Sequence, residues 1–273
     1  MGSIKGVAEK TQVIYSTHSP LLIDIERFHH IRVLRKEPGE GGKPKQTKVV
    51  WTTLDEVVRV IEKADGKPRD AYSGATLQPR LQTLMTPWMN EGFFADVAVL
   101  VEGEEDRAAI LGMAGAMEPS CDLESMGISV IPCMGKNNLD KATAIFRNLQ
   151  IPTYTIWDSD WGHGKKNEKE EKERNQCLLR LFDHLTEDWP EMVASKFACF
   201  KKDLESTLCN EIGQDCYDKS IEACCTRLRL DEDHAVKNPM VIKEIIVEAR
   251  KQNKRSKMLE EIITRIIALR KGE

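Results

Sequence analysis

No run of the sequence approaches the roughly 18 apolar residues needed to span a bilayer, and no signal peptide opens it. CxxC pairs are lacking too, as is any zinc-type spacing of cysteine with histidine. The eight cysteines (121, 133, 177, 199, 209, 216, 224 and 225) fall instead in apolar or helical stretches such as "KFACF". That usage argues against a disulfide framework and for reduced, buried or half-buried thiols in a cytoplasmic protein. No GxxxxGK[ST] phosphate loop occurs, so the chain has no means of its own to hydrolyse ATP. Nor is there an excess of basic residues: 40 lysines and arginines face 44 acids, a formal net charge of −4. Nucleic acid would have to be met by local patches, or by acids whose sign a bound cation reverses. Internal repeats are absent, and the one biased tract, the charge run at 165–174, reads most simply as a solvated helix face.

What is present is a chain of 273 residues with 41% hydrophobic content, enough for one large domain or two modest ones. The opening "MGS" has the look of an added start, so a fragment of something longer is expected. "TQVIYSTHSPLLID" begins with a β-rich run that breaks at "THSP". "HIRVLRKEPG" is a second strand candidate, "GEGGKPKQTK" a loop, and "VVW" a returning edge strand. A helix follows over "TTLDEVVRVIEKADG", with Thr53 as N-cap, Glu56 at capping-box spacing and Gly66 closing it. "LQPRLQTLMTPWMNEG" predicts another helix, kinked or ended near Pro87.

From residue 93 the texture changes. "FFADVAVLVEG", "GISVIPCMG", "PTYTIWDSD" and "KFACFKKDLES" read as strands, the first a continuous apolar run typical of burial on both faces. Between them "EEDRAAILGMAGAM", "NNLDKATAIFRNLQI" and "HGKKNEKEEKERNQCLLRLFDHLTEDW" read as helices. The alternation predicts an α/β fold whose mostly parallel sheet is covered on both faces. The remainder is helical, over "CYDKSIEACCTRLRL", "NPMVIKEIIVEARK" and "RSKMLEEIITRIIALRK".

The conspicuous acids of the α/β block fall at the carboxyl ends of its strands, where ligands gather in parallel sheets. Glu102 ends the first strand, with Asp106 in the first turn of the next helix. Asp158 and Asp160 end the third strand, and Asp203 and Glu205 follow the fourth. Alternate strand residues share a face, so Asp158 and Asp160 are expected side by side. At about 4 Å and an effective dielectric near 20, that repulsion is roughly 4 kcal/mol. A bound cation would offset it. Acids at a helix start also serve as dipole partners, which is the plainer account of Asp106 taken alone. It does not account for three strands delivering carboxylates to one rim. Oxygen donors with no histidine or cysteine beside them suit Mg2+, Mn2+ or Ca2+ rather than zinc. They suffice for two ions roughly 4 Å apart, the arrangement that activates a water and steadies the leaving oxygen in phosphodiester displacement.

Taken together, "VLVEGEED", "MGKNN" and "WDSD" resemble the Toprim fold of topoisomerases, primases and some nucleases. Upstream, "VIYSTHSPLLID" resembles the last strands of an ABC-type ATPase, with His18 at the place of a switch-loop histidine. An ATPase tail running into a Toprim domain with a "DLEST" motif resembles the OLD (overcoming lysogenization defect) family of nucleases. The resemblance implies an ATPase tail over 1–50, a Toprim nuclease domain over 93–205, and an accompanying helical domain from 51–92 and 206–273. It also implies a metal-dependent DNA endonuclease that nicks or cuts by two-ion hydrolysis with Mg2+ or Mn2+, Ca2+ binding without full activity. Glu102 and Asp106 match the first acidic motif, Asp158 and Asp160 the DxD pair, and Asp203 and Glu205 the later acidic motif. For the lysine with which the family stabilises transition-state charge, Lys257 is chosen ahead of Lys254 and Lys237, and Lys136 in "MGKNN" is a candidate phosphate contact. For the whole protein the resemblance implies ATP bound by an upstream domain, a homo-oligomer through that domain, a helicase-like partner and a place in phage defence. With no phosphate loop here, His18 is read as structural.

Other readings stand beside this one. A topoisomerase needs an attacking tyrosine, and Tyr15, Tyr72, Tyr154 and Tyr217 sit in no recognisable attacking context. Primase chemistry would bring a zinc module. The remaining alternative is a non-catalytic nucleic-acid-binding or assembly module with decayed chemistry. The complete acid set argues against decay, because carboxylates with no metal to hold only repel one another.

Overall fold

The computed structural model describes residues 11–23, 25–37, 44–81, 84, 87–162 and 167–272. Two antiparallel strands, β1 (Val33–Glu37) and β2 (Gln46–Val50), form a ribbon ahead of the main sheet. The β-rich run expected near residue 12 is not a strand. Its backbone finds no ladder among the described residues, and Ile14 is 87% exposed. The first half of the expected 39–48 loop lies outside the described residues, and its last three residues, 46–48, belong to β2 rather than to a loop. Helix α1 (Leu54–Ala64) starts as the sequence predicts: Thr53 Oγ1 accepts the Glu56 N–H, and the Glu56 carboxylate accepts the Thr53 N–H. The next expected helix is two, α2 (Gly74–Leu81) and α3 (Pro87–Glu91). Pro87 opens the second rather than closing the first, at a first-turn position where an N–H has no helical partner to lose.

The α/β block follows in chain order as β3 (Val97–Val101), α4 (Glu104–Ala116), β4 (Ile128–Pro132), α5 (Leu139–Asn148), β5 (Thr153–Asp158) and α6 (Glu168–Leu181). Next come β6 (Met192–Val193), β7 (Phe197–Phe200), α7 (Leu204–Ile212) and α8 (Gln214–Leu228). The chain closes with α9 (Glu232–Ala235), α10 (Pro239–Lys251) and α11 (Lys257–Lys271). The sheet order is β4-β3-β5-β7-β6, parallel except for the two-residue β6, which runs antiparallel to β7.

Two expectations are corrected here. The long helix predicted over 163–189 is confined to Glu168–Leu181: Phe182 leaves helical geometry and Asp183 turns to a left-handed φ of 53°. Its first residues, 163–166, lie outside the described set. The fourth strand stops at Phe200 instead of continuing through "DLES". Asp203 captures the Ser206 N–H at 2.6 Å and starts α7 as its N-cap.

Strand alternation divides the core in two. Val99, Val101, Tyr154, Ile156 and Phe200 pack with α4, α7, α8, α10 and α11 on one face. Leu100, Ile131, Trp157, Phe197 and Cys199 pack with α1, α2, α5 and α6 on the other. Both sheet faces are therefore dry, as the unbroken apolar runs predict. The helices flanking the α/β block in sequence lie directly on these faces. Cys133, Cys177, Cys199, Cys209, Cys216 and Cys224 are buried free thiols, with Cys121 and Cys225 half-buried.

Helices α4 and α10 pack closely at Gly112. A Cβ there would lie 2.7 Å from Ile242 Cβ and 2.8 Å from the Pro239 carbonyl oxygen of α10. Alanine gains about 1 kcal/mol of helix propensity, but overpacking against a fixed carbonyl costs about 1–3 kcal/mol. Gly112→Ala is expected to lower the urea midpoint at unchanged m-value. An equal or higher midpoint would contradict this packing.

Candidate metal centre at the strand ends

Parallel pairing brings the carboxyl ends of β3, β5 and β7 to one edge, and the residues just past each end carry acids. Glu102 follows β3, and its Oε1 accepts the Asp158 N–H at 2.8 Å. Asp158 closes β5, and its Oδ1 accepts the Leu204 N–H at 3.0 Å. Two carboxylates thereby lace three chain segments together. Asp106 sits in the first turn of α4, where its Oδ2 accepts the Gly103 N–H at 2.8 Å. Asp203 caps α7.

Asp160 reaches the rim by a different route from the one expected. β5 has already ended, and Asp160 takes a left-handed φ of 62°, so its company with Asp158 comes from a turn and not from strand alternation. Ser159 between them is buried, and its hydroxyl donates to the Pro190 carbonyl at 2.6 Å, away from any ligating role. Glu205 stands apart: it is exposed, and its Oε1 accepts the hydroxyl of buried Tyr217 at 3.0 Å.

The electrostatics register the crowding. Burial drives the Glu102 carboxyl up to about 8; the Asp158 N–H and Lys136 resist, and the charges of Asp106 and Asp160 add to the rise. Burial likewise lifts Asp106 to about 6, against the Gly103 and Glu102 N–H groups and with the charges of Glu105 and Asp203. Asp158 is pushed well above the usual carboxylate range by burial and then by Asp106, Glu102, Asp160 and Asp203. Five of the six acids picked out from the sequence thus feel one another.

Among the described residues, no three His, Cys, Asp or Glu side chains are already closed into a ligating set. The donor chemistry nonetheless fits a hard divalent cation. The group is carboxylate oxygen throughout, Glu102 and Asp158 each bond a backbone N–H through one oxygen, and the charges they gather are short of a counter-ion.

Lys202 pairs with Asp203 at 3.6 Å, and the buried positive charge in contact with the rim is Lys136. Its side chain is 6% exposed, with Nζ 2.9 Å from Asp160 Oδ2 and 3.1 Å from Glu171 Oε2 of α6. Lys257 lies exposed in the first turn of α11, and its neighbours Ser256 and Met258 bond Glu211. That glutamate is eight residues beyond Asp203, roughly 12 Å along α7 at the helical rise. Of the alternatives, Lys237 pairs with Glu105 at 3.5 Å, and Lys254 lies over Gly213. His18 rests with its ring 6.3 Å from that of Phe94.

Glu171 is a contributor the sequence did not disclose. Glu171 sits inside a charge run that reads as solvated, and only the tertiary fold carries it 35 positions back to Lys136.

The family model for the Toprim domain of overcoming lysogenization defect protein-like proteins matches residues 93–160. A curated relative, the OLD nuclease of Thermus scotoductus, is 28% identical over 169 residues, covering 62% of this chain and 28% of the relative. The chain thus spans well under a third of that relative's length. Among solved structures, the C-terminal region of the Burkholderia pseudomallei OLD protein is 20% identical over 65% of this chain and 99% of its own, at a TM-score of 0.43. The corresponding region of the Xanthomonas campestris pv. campestris OLD protein is 16% identical over 67% and 95%, at a TM-score of 0.40.

Metal-free, the folded chain holds a proton on Glu102 from its ordinary 4.5 up to about 8, where the unfolded chain has released it. The folded state then binds more protons, so stability falls as pH rises through this window. In EDTA the melting temperature is expected to drop between about pH 5 and pH 8. Glu102→Gln should flatten the slope, and Mg2+ or Mn2+ should restore the melting temperature at the upper end. A flat or rising profile in EDTA would contradict the buried acid cluster.

Proposed function

Proceeding from residues 93–160 as an OLD-like Toprim domain, we propose that this chain is a nuclease region that hydrolyses DNA phosphodiester bonds in a divalent-metal-dependent reaction. The observation that carries the reading is Asp158 standing in the field of four other acids gathered from the ends of three adjacent strands. Glu102, Asp106, Asp158, Asp160 and Asp203 would hold Mg2+ or Mn2+, with Glu205 at the margin. A pair of such ions supplies charge for the attacking water and for the departing oxygen.

The chain's own residues do the positioning. The N–H groups of Asp158 and Leu204 fix the rotamers of Glu102 and Asp158. Glu171 holds the Lys136 ammonium against Asp160, where it is also placed to meet a phosphate oxygen. In this reading Lys136 steadies charge on the scissile phosphate. No helix among the described residues is long and apolar enough to cross a membrane. An upstream ATPase that dimerises the protein, a helicase-like partner, a cytoplasmic setting and phage defence belong to the same proposal for the whole protein.

The alternative, a non-catalytic DNA-binding or assembly module, predicts gel retardation without cleavage under any metal. Supercoiled plasmid incubated with the chain and Mg2+ or Mn2+ separates the two. Conversion to nicked or linear DNA is expected, to be abolished by Asp158→Ala or Glu102→Ala. Glu171→Gln is expected to slow it about 10- to 100-fold, the usual effect of removing a group that orients a ligand. Equal conversion by wild type and the aspartate variant would end the nuclease reading.

A further inference from the structure

We propose that Trp161, with Lys201 and Lys202, forms a platform that binds an unpaired nucleotide of the substrate beside the acid rim. The inference rests on the nuclease reading and specifies the substrate that site prefers. Trp161 directly follows Asp160 yet is 50% exposed, whereas Trp157 four residues earlier is fully buried. An indole left half in water next to a cluster of acids does nothing for the core.

Its backbone is nevertheless fixed. The Ser159 N–H donates to the Phe200 carbonyl at 2.7 Å, the Asp160 N–H to Lys202 at 3.0 Å and the Trp161 N–H to Lys201 at 3.0 Å. These bonds carry the β5–β7 pairing past the ends of both strands, so the ring stands on a rigid extension of the sheet. The Lys201 ammonium lies 4.9 Å from the ring centroid, and among the described residues it makes no ion pair. Lys202 beside it pairs with Asp203 at 3.6 Å and donates to the Ser206 hydroxyl at 3.1 Å, with about half of its side chain exposed. With Lys201 over one face of the ring, the exposed remainder of the indole and an ammonium that no carboxylate among the described residues neutralises match a nucleotide, base against indole and phosphate against lysine.

The selection for unpaired nucleotides follows from stacking. In a duplex each base already covers its neighbours, so offering a face to Trp161 costs the unstacking of a base pair. In a single strand, a gap or a frayed end that cost is small. Because the chain as a whole is negative, a local cation pair on rigid backbone is also what phosphate needs in order to approach.

Fluorescence anisotropy with a short labelled single strand and its matched duplex, in EDTA and in Ca2+, tests the platform without requiring cleavage. Trp161→Ala is expected to weaken single-strand binding about 5- to 100-fold while changing duplex binding less than about twofold. Trp161→Phe, which keeps a π-face, should recover most of the loss, and Lys201→Ala should reduce the salt dependence of binding. Unchanged single-strand affinity in Trp161→Ala, an equal loss on duplex, or no recovery by phenylalanine would each overturn the platform. Wild-type cleavage with an unaltered single-strand KM in Trp161→Ala would sink the platform and leave the nuclease. Ring-dependent binding with no cleavage would sink the nuclease and leave the platform.

Discussion

The strand-end edge is organised around a repulsion. Asp158 is held in the field of Glu102, Asp106, Asp160 and Asp203, and like charges at a few ångströms cost on the order of 4 kcal/mol per pair in a partly screened site. What the fold sets against this is mostly neutral. Backbone N–H groups of Gly103, Asp158, Leu204 and Ser206 each take one carboxylate oxygen. Each such bond to a charged acceptor contributes about 1.5–3 kcal/mol. The starts of α4 and α7 add the positive ends of their dipoles. Among the described residues, the buried ammonium set against these five acids is Lys136, itself shared with Glu171. The raised proton affinities of Glu102 and Asp106 register the shortfall.

Parallel pairing is what makes the crowding unavoidable. When β3, β5 and β7 run in one direction, all of their carboxyl ends emerge at one edge, and the helices that follow begin there. The residues that terminate strands and initiate helices are short polar ones, so acids on this edge are brought together by topology. Both faces of the sheet are closed by helices. The carboxyl edge is the place left where such side chains reach solvent and ligand.

Much of this was legible because it is local. Unbroken apolar runs announce strands buried on both sides, and Val97–Val101 and Thr153–Asp158 sit where those runs predict. The Thr53–Glu56 capping box is a three-residue motif and forms as read. What failed depends on distant partners or on competition between neighbours. The run near Ile14 has strand composition but no ladder to join among the described residues. Asp203 looks like the tail of a strand until its side chain is seen to start α7. The Lys136–Glu171 pairing joins two segments whose composition reads as an ordinary turn and an ordinary solvated face.

On the proposed nuclease reading, the acid rim and the Trp161 platform answer different halves of one electrostatic difficulty. A phosphodiester approaching bare carboxylates is repelled, so the rim is receptive to DNA only once cations have reversed its sign. Lys201 and Lys202 stand on the same edge, their carbonyls tied to the turn that holds Asp160. A strand engaged there is already beside the acids before any ion is in place. Its phosphates can then help complete the coordination of the ions, since Mg2+ keeps open positions for substrate oxygens. Ion and substrate would thus each raise the affinity of the other, and that reciprocity follows from linkage once both meet the same oxygens. On that reading a net acidic chain is no obstacle to acting on DNA, because five carboxylates stand where a metal would be held and the backbone of Lys201 and Lys202 is tied to the turn beside them.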